Sequence, residues 1–297
     1  MGLTLWGKAY EHINMDDSNT EKLILGKLTL IVTTRCNLRC KLCCESVPQY
    51  KPFKDMTLEE ERDILEAAFN IIDHIEILHL SGGGEPFLQP LLPEMIDEAM
   101  RYSGRFDKFM VFTNSTIPIS SKLMSTFKKY REELIVHASQ YNVKPEKEAE
   151  TFRILAENGI NHRIIKYFGD EQDFGGWVDF GNYKHFNKSA AELDIQYKNC
   201  AVTRDMHGNW RTRDGTLHFC TISQRGNELG LLENNKGDFI DMLDKNTGIQ
   251  EKREKLFYLK HLQNTAPGCA HLKACEYCTG DHGTGDISRR RPAAEQE

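Results

Sequence analysis

The chain has 297 residues, 39% of them hydrophobic and 28% charged, with a formal net charge of −6; this balance fits a globular protein with a substantial core and gives no electrostatic reason to bind polyanions. No apolar run approaches the roughly 18 residues of a membrane-crossing helix, and residues 1–10 lack the basic, apolar and small-residue segments of a secretory signal. Nucleic-acid and membrane partners are therefore not expected, and a cytoplasmic location is.

In chain order, residues 1–26 read as an N-terminal extension, after which short β-rich runs alternate with segments of helical period as far as residue 167. The predicted strands are 28–33, 75–80, 109–113, 134–138 and 163–167, and the predicted helices are 58–72, 91–102, 121–130 and 147–157. Thr57 and Glu60 form a capping box at the start of the first helix, and Asn158-Gly159 closes the last. Such alternation predicts an α/β fold built on a parallel sheet. Residues 168–188 lose the rhythm and become rich in Gly, Asp and aromatics, a linker or active-site loop in which Trp177, Phe174 and Phe180 either line a pocket or pin the loop. From Cys200 a hairpin punctuated by Gly208 and Gly215 is predicted, then helices over 239–246 and 248–262, then a cysteine-rich end and a frayed tail carrying Arg289, Arg290 and Arg291. Arg204, Arg211 and Arg213 either grip a phosphate or carboxylate or, as is usual for charged residues, lie on the outer face of the hairpin, where they are expected.

Nine cysteines without an export signal need a reason, because reducing cytosol does not favour disulfides. They fall into two groups, Cys36, Cys40, Cys43 and Cys44, then Cys200, Cys220, Cys269, Cys275 and Cys278, which suggests two metal sites. In the first, Cys36-x3-Cys40-x2-Cys43 follows directly on the first strand. Three thiolates on a four-iron cluster leave one iron open to a small chelating molecule; a zinc site would instead bring a fourth nearby ligand. A second motif, Ser81-Gly82-Gly83-Gly84-Glu85-Pro86, follows the second strand, where glycines permit close backbone approach.

This pair of motifs resembles the radical S-adenosylmethionine (SAM) superfamily over roughly residues 27–167. The resemblance implies a partial (β/α)6 barrel over 27–190 and a [4Fe-4S] cluster on Cys36, Cys40 and Cys43. It also implies SAM contacts from Gly83, Gly84, Glu85 and Ser139, and reductive cleavage of SAM to a 5'-deoxyadenosyl radical that takes hydrogen from carbon. Leu42 stands where the family commonly has an aromatic residue. For the second group, four cysteines suit a fully ligated cluster or structural zinc equally. The arrangement Cys200-x14-Gly215-x4-Cys220 followed by a C-terminal cysteine group resembles the twitch (shortened SPASM) extension of these enzymes. It implies a small hairpin-plus-helix domain over 191–282 holding one auxiliary [4Fe-4S] cluster on Cys200, Cys220, Cys275 and Cys278, with 283–297 as a tail. Cys269 and Cys44 stay unassigned, either as inert thiols or as hydrogen donors to a substrate radical. The implied activity is that of a radical SAM oxidoreductase, oxidising or epimerising a sugar or cyclitol and served by an electron donor such as flavodoxin or ferredoxin. The alternative is crosslinking or epimerisation of a ribosomally made peptide, although the 35 residues before Cys36 are too few for a leader-binding domain. His79, His137, Lys166, Tyr167 and Asp170 are the candidate bases, and strand histidines are more often packed than catalytic.

Overall fold

The computed structural model describes residues 21–49, 53–81, 83–173, 176–281, 288 and 290–297, so Gly82, Phe174, Arg289 and most of the N-terminal extension lie outside the described residues. Five parallel strands come first, β1 (Ile24–Ile31), β2 (His74–Ser81), β3 (Phe106–Thr113), β4 (Leu134–Gln140) and β5 (His162–Lys166). Helices α1 (Leu58–Ile71), α2 (Leu92–Met100), α3 (Ser121–Lys129) and α4 (Pro145–Glu157) connect them. The capping box forms as expected: the Glu60 amide donates to Thr57 Oγ1 at 3.1 Å and the Thr57 amide to Glu60 Oε2 at 2.7 Å. Gly159 takes the left-handed φ of +64° that ends α4.

The resemblance implies six strand–helix units, and the structure has five consecutive parallel strands. The residues after β5 contain no apolar run able to bury a sixth; the short β6 (Trp177–Val178) pairs instead with β10 (Arg290–Arg291). The sixth parallel neighbour is β7 (Trp210–Thr212), which joins the opposite edge beside β1, with Leu28 opposite Trp210 and Thr29 opposite Arg211. Antiparallel β8 (Thr216–His218) and β9 (Phe239–Asp241) follow, completing an eight-stranded sheet of order β5-β4-β3-β2-β1-β7-β8-β9. The C-terminal hairpin therefore extends the barrel sheet, and one hydrophobic core runs from Leu28 and Leu78 through Trp210 to Leu256 of α8 (Ile249–Lys260). Fully burying a side chain such as Phe109 contributes about 1.5–3 kcal/mol.

The C-terminal part corrects several expectations. The segment predicted as a helix over 239–246 begins as β9, because Phe239, Ile240 and Asp241 pair with β8, and Asp241 and Asp244 then take the following amides and turn the chain. Three helices went unpredicted, α5 (Ala190–Asn199), α6 (Ala201–Arg204) and α7 (Thr221–Glu228); α5 has a capping box of its own in Ser189 and Glu192. Arg211 and Arg213 are buried: Arg211 lies on β7, which sits between β1 and β8 inside the sheet, and Arg213 directly follows that strand. Buried guanidinium groups require partners: Arg211 pairs with Glu45, and Arg213 with Glu228 at 2.6 Å. Arg204 is exposed and pairs with Asp205. Residues 290–297 are packed, with Ala294 only 1% exposed, whereas a frayed tail was expected.

Strand alternation gives the sheet two different faces. Leu28, Leu30, Leu78, Leu80, Phe109 and Val136 belong to the apolar core. The alternate positions Lys27, Thr29, His79, Ser81, Ser139 and Arg211 line a cavity of about 470 Å³. Parallel strands buried on both faces usually read as continuous apolar runs, so polar residues at every second position mark an interior built for a polar guest.

Candidate functional site

The first thiol group comes from the loop after β1. Its base is fixed to residues 54–56: the Thr33 hydroxyl donates to Asp55 at 2.6 Å, the Thr34 amide to the Lys54 carbonyl at 2.8 Å, and the Met56 amide to the Val32 carbonyl at 2.9 Å. Asn37 donates to Thr116 at 2.7 Å, while Asn114 donates to Asn37 at 2.9 Å and points its amide at Cys36 Sγ at 3.8 Å. Cys36, Cys40 and Cys43 all line the cavity. Burial raises all three thiols, Cys40 to about 11 and Cys43 to about 12. Such thiols are inert at neutral pH unless a metal displaces the proton. Three sulfurs converging on one cavity, with N–H donors aimed at them, fit a cluster site with an open position.

The glycine loop after β2 packs directly on that thiol loop. The Gly84 amide donates to the Thr33 carbonyl at 2.8 Å and the Glu85 amide to the Arg35 carbonyl at 2.7 Å. A Cβ on Gly84 would fall 1.9 Å from the Arg35 oxygen, and one on Gly83, whose φ is +28°, 2.6 Å from Ile31. The glycines are thus required by the close crossing of two loops, and both also line the cavity. Glu85 is buried and accepts from the Phe87 amide at 3.0 Å, the Thr113 hydroxyl at 2.8 Å and the Asn114 amide at 2.6 Å. Burial pushes its carboxyl up to about 7 against those hydrogen bonds, which pull it down. The carboxylate ties the ends of β2 and β3 together beside Cys36. Ser139 lines the cavity at the end of β4.

The second thiol group is assembled from three separate segments. Cys200 sits at the junction of α5 and α6, Cys220 caps α7 and accepts from the Ser223 amide at 3.5 Å, and Cys275 lies within a 3-10 turn that Cys278 follows. Asp238 holds that turn by accepting the amides of Lys273 and Ala274 at 2.8 and 2.7 Å, and Gln196 donates to the carbonyls of Cys275 and Cys278 at 3.1 and 3.2 Å. All four cysteines face the same cavity as the first three. Burial raises each thiol, Cys220 and Cys278 to about 12, and the charges of neighbouring cysteines add to the effect at Cys220, Cys275 and Cys278, that of Asp281 at Cys200. Among the described residues no three His, Cys, Asp or Glu side chains converge tightly enough for a single metal ion. The ligands of a cluster bind different irons and are spaced more widely.

The structure separates the two unassigned cysteines. Both are exposed, but only Cys44 lines the cavity, and there desolvation of the charged form and the Glu45 charge hold its thiol well above the usual range. Among the candidate bases, His79 lines the cavity, and burial lowers it well below the usual range. His137 stacks on Phe112 with centroids 3.9 Å apart, and burial lowers it to about 4. Tyr167 lines the cavity with its phenol raised by burial; Lys166 lies 3.7 Å from Glu171, and Asp170 is exposed. Trp177 and Phe180 line the cavity, and Trp177 also packs edge-on against Tyr141, so it does both things expected of it.

Lys27 was missed in the sequence. It lines the cavity, forms no ion pair among the described residues, and is lowered to about 8 by burial and by the charge of Arg211. Its signal is a lysine two residues before Thr29 on the inward phase of the first strand. Nearby, Glu45 Oε2, His79 Nε2 and Arg211 Nε have no hydrogen-bond partner among the described residues. Buried polar atoms with unused capacity around a cavity point to a polar ligand. No helix among the described residues is long and apolar enough to cross a membrane.

Solved structures share this fold or parts of it. The crystal structure of BtrN in complex with AdoMet and 2-DOIA is similar in fold, with a TM-score of 0.51 and 12% identity over 93% of this chain and 100% of BtrN. Structures of anSMEcpe with bound AdoMet, one with Cp18Cys peptide, match at 16–17% identity over 48–49% of this chain with TM-scores of 0.38–0.40. This chain spans only 42–43% of the length of those anSMEcpe chains. Residues 30–168, which hold the thiol loop, the glycine loop and strands β2 to β5, match the family model of the radical SAM superfamily, and this part of the chain is a radical SAM superfamily domain.

Proposed function

We propose that the protein is a radical SAM oxidoreductase that removes hydrogen from a hydroxyl-bearing small molecule of sugar or cyclitol type. The observation that carries this reading is that both thiol groups open onto one cavity of about 470 Å³, within the ~300–1,000 Å³ of small-molecule sites. The similarly folded BtrN, seen with AdoMet and 2-DOIA together, supports a small-molecule partner over a peptide.

Cys36, Cys40 and Cys43 would hold the SAM-binding cluster, and Gly83, Gly84, Glu85 and Ser139 would lie against SAM, whose reductive cleavage supplies a radical able to take hydrogen from carbon. Cys200, Cys220, Cys275 and Cys278 would hold a second cluster, whose chemistry there is acceptance of one electron. Converting a CH–OH group to a carbonyl releases a hydrogen atom, a proton and an electron, so a proton acceptor is also required. Lys27 supplies it: its amine faces the cavity, and burial makes a neutral fraction available near neutral pH. Glu45 and Arg211, with unused hydrogen-bonding atoms on the same cavity, orient the hydroxyl groups. Tyr141, Trp177 and Phe180 limit water access to the reacting carbon. Epimerisation is the second reading, favoured by Cys44, whose thiol faces the cavity and would return a hydrogen atom to the substrate carbon.

The test is anaerobic incubation with SAM, strong reductant and a panel of cyclitols and sugars. The expected result is substrate-dependent 5'-deoxyadenosine matched by one carbonyl product. Inverted alcohol without carbonyl would favour epimerisation, and turnover only with peptides would overturn the small-molecule reading.

A further inference from the structure

Residues 290–297 reach the thiol loop from the far end of the chain. β10 pairs with β6, a contact that requires Gly176, whose φ is +116° and where a Cβ would fall 2.3 Å from the Arg291 carbonyl oxygen. Arg290 pairs with Asp281 at 2.8 Å and donates to the Gly176 carbonyl at 3.2 Å. Beyond it, Ala294 packs with Leu38 and Cys40 in a small core of its own, separate from the main one. Three backbone amides of this region are then satisfied across the junction. The Arg39 amide donates to Gln296 Oε1, the Lys41 amide to the Glu295 carbonyl and the Glu297 amide to the Arg39 carbonyl, each at 2.8 Å. Arg39 pairs with Glu297 at 2.5 Å, and Lys41 pairs with Glu295. The Gln296 side chain also turns its amide N–H toward Cys40 Sγ at 3.3 Å.

We propose that Gln296 is a positioning residue of the N-terminal thiol site, a clamp that holds the Arg39–Lys41 turn with its carbonyl and donates its amide N–H to the Cys40 sulfur, raising the reduction potential of the group those thiols hold. This rests on the radical SAM reading of the thiol loop. The physical basis is twofold. A loop of eight residues carrying three ligands has little hydrophobic anchoring of its own, so its order depends on what covers it. A hydrogen bond to a ligating sulfur stabilises the more negatively charged, reduced state and so moves the potential upward. Neighbouring carboxylates oppose that shift, but Glu295 and Glu297 are paired with Lys41 and Arg39.

Two measurements on the full chain test the proposal. In a Cys275→Ala, Cys278→Ala background, which leaves the N-terminal thiols intact, an EPR-monitored redox titration of the anaerobically reconstituted protein should give a more negative midpoint for Gln296→Leu than for the parent, and a chelator should strip its iron faster. In metal-free protein, hydrogen exchange at the amides of Arg39 and Lys41 should be faster in Gln296→Leu and in a variant lacking residues 294–297. An unchanged midpoint and iron-release rate would overturn the role at Cys40, and unchanged exchange would overturn the clamp. Failure of the parent to take up a cluster would count against the radical SAM reading, while the exchange experiment would still decide the clamp.

Discussion

The two thiol groups face one cavity and were assembled in opposite ways. Cys36, Cys40 and Cys43 come from one loop of eight residues, whereas Cys200, Cys220, Cys275 and Cys278 come from three segments spread over 79 residues and meet only after α5, α7 and β9 are in place. The first group is a local device, already specified by its spacing. The second depends on buried carboxylates and amides, Asp238 and Gln196 above all, which hold distant turns in register. The ligand spacing of a local set survives disturbance elsewhere in the fold, save in residues 294–297 that cover its loop, whereas a dispersed set loses its spacing when any of its segments moves.

The sharpest way to break the comparison is to remove one sulfur from each group. Cys40→Ala is expected to abolish SAM cleavage. Cys220→Ala should keep 5'-deoxyadenosine release, lose the iron of the second site and form no carbonyl product. Iron content and product analysis on the same preparations check both, and loss of SAM cleavage in Cys220→Ala would show that the two sites are not separable.

A smaller effect is expected at Lys27, which lines the cavity that the two groups share. An ammonium accepts no proton, so product formation should rise with pH through about 8, where half the side chains become neutral, and level off above it. Lys27→Met should lower product formation by about 10²–10⁴-fold and remove that pH dependence, while uncoupled SAM cleavage continues. A pH profile unchanged in the variant would exclude Lys27 as the acceptor.

The smallest effect concerns the local side of the comparison. Thr57→Ala removes the α1 cap and should cost about 1 kcal/mol in denaturant unfolding. Iron uptake by both groups should be unchanged, because α1 contributes no ligand. A change in iron content would mean that the thiol loop is less autonomous than its spacing implies.

The five strands and four helices up to residue 167 were legible because each combines a periodic apolar pattern with a local stop signal, such as Thr57 and Glu60 or Asn158-Gly159. Ends shifted by up to four residues: β1 begins at Ile24, ahead of the expected residue 28. Beyond residue 168 reading failed more often, since the elements there are short. A three-residue strand such as β9 carries no periodicity, and its pairing with β8 overrode the helical appearance of 239–246. The burial of Arg211 and Arg213 was hidden for a related reason: a hairpin with a free edge and one that continues a sheet look alike in sequence.

By itself, the sequence determined the three-thiol loop, the glycine loop and the alternating α/β order, because ligand spacing, glycine backbone freedom and helix capping all act within a few residues. Tertiary structure alone decided that both thiol groups share a cavity, that Cys44 faces it while Cys269 does not, that Lys27 lines it, and that Gln296 reaches Cys40 across 256 residues. Those relations depend on strand order and on which loops cross, and the chain fixes them only when burial of the common core brings remote segments together.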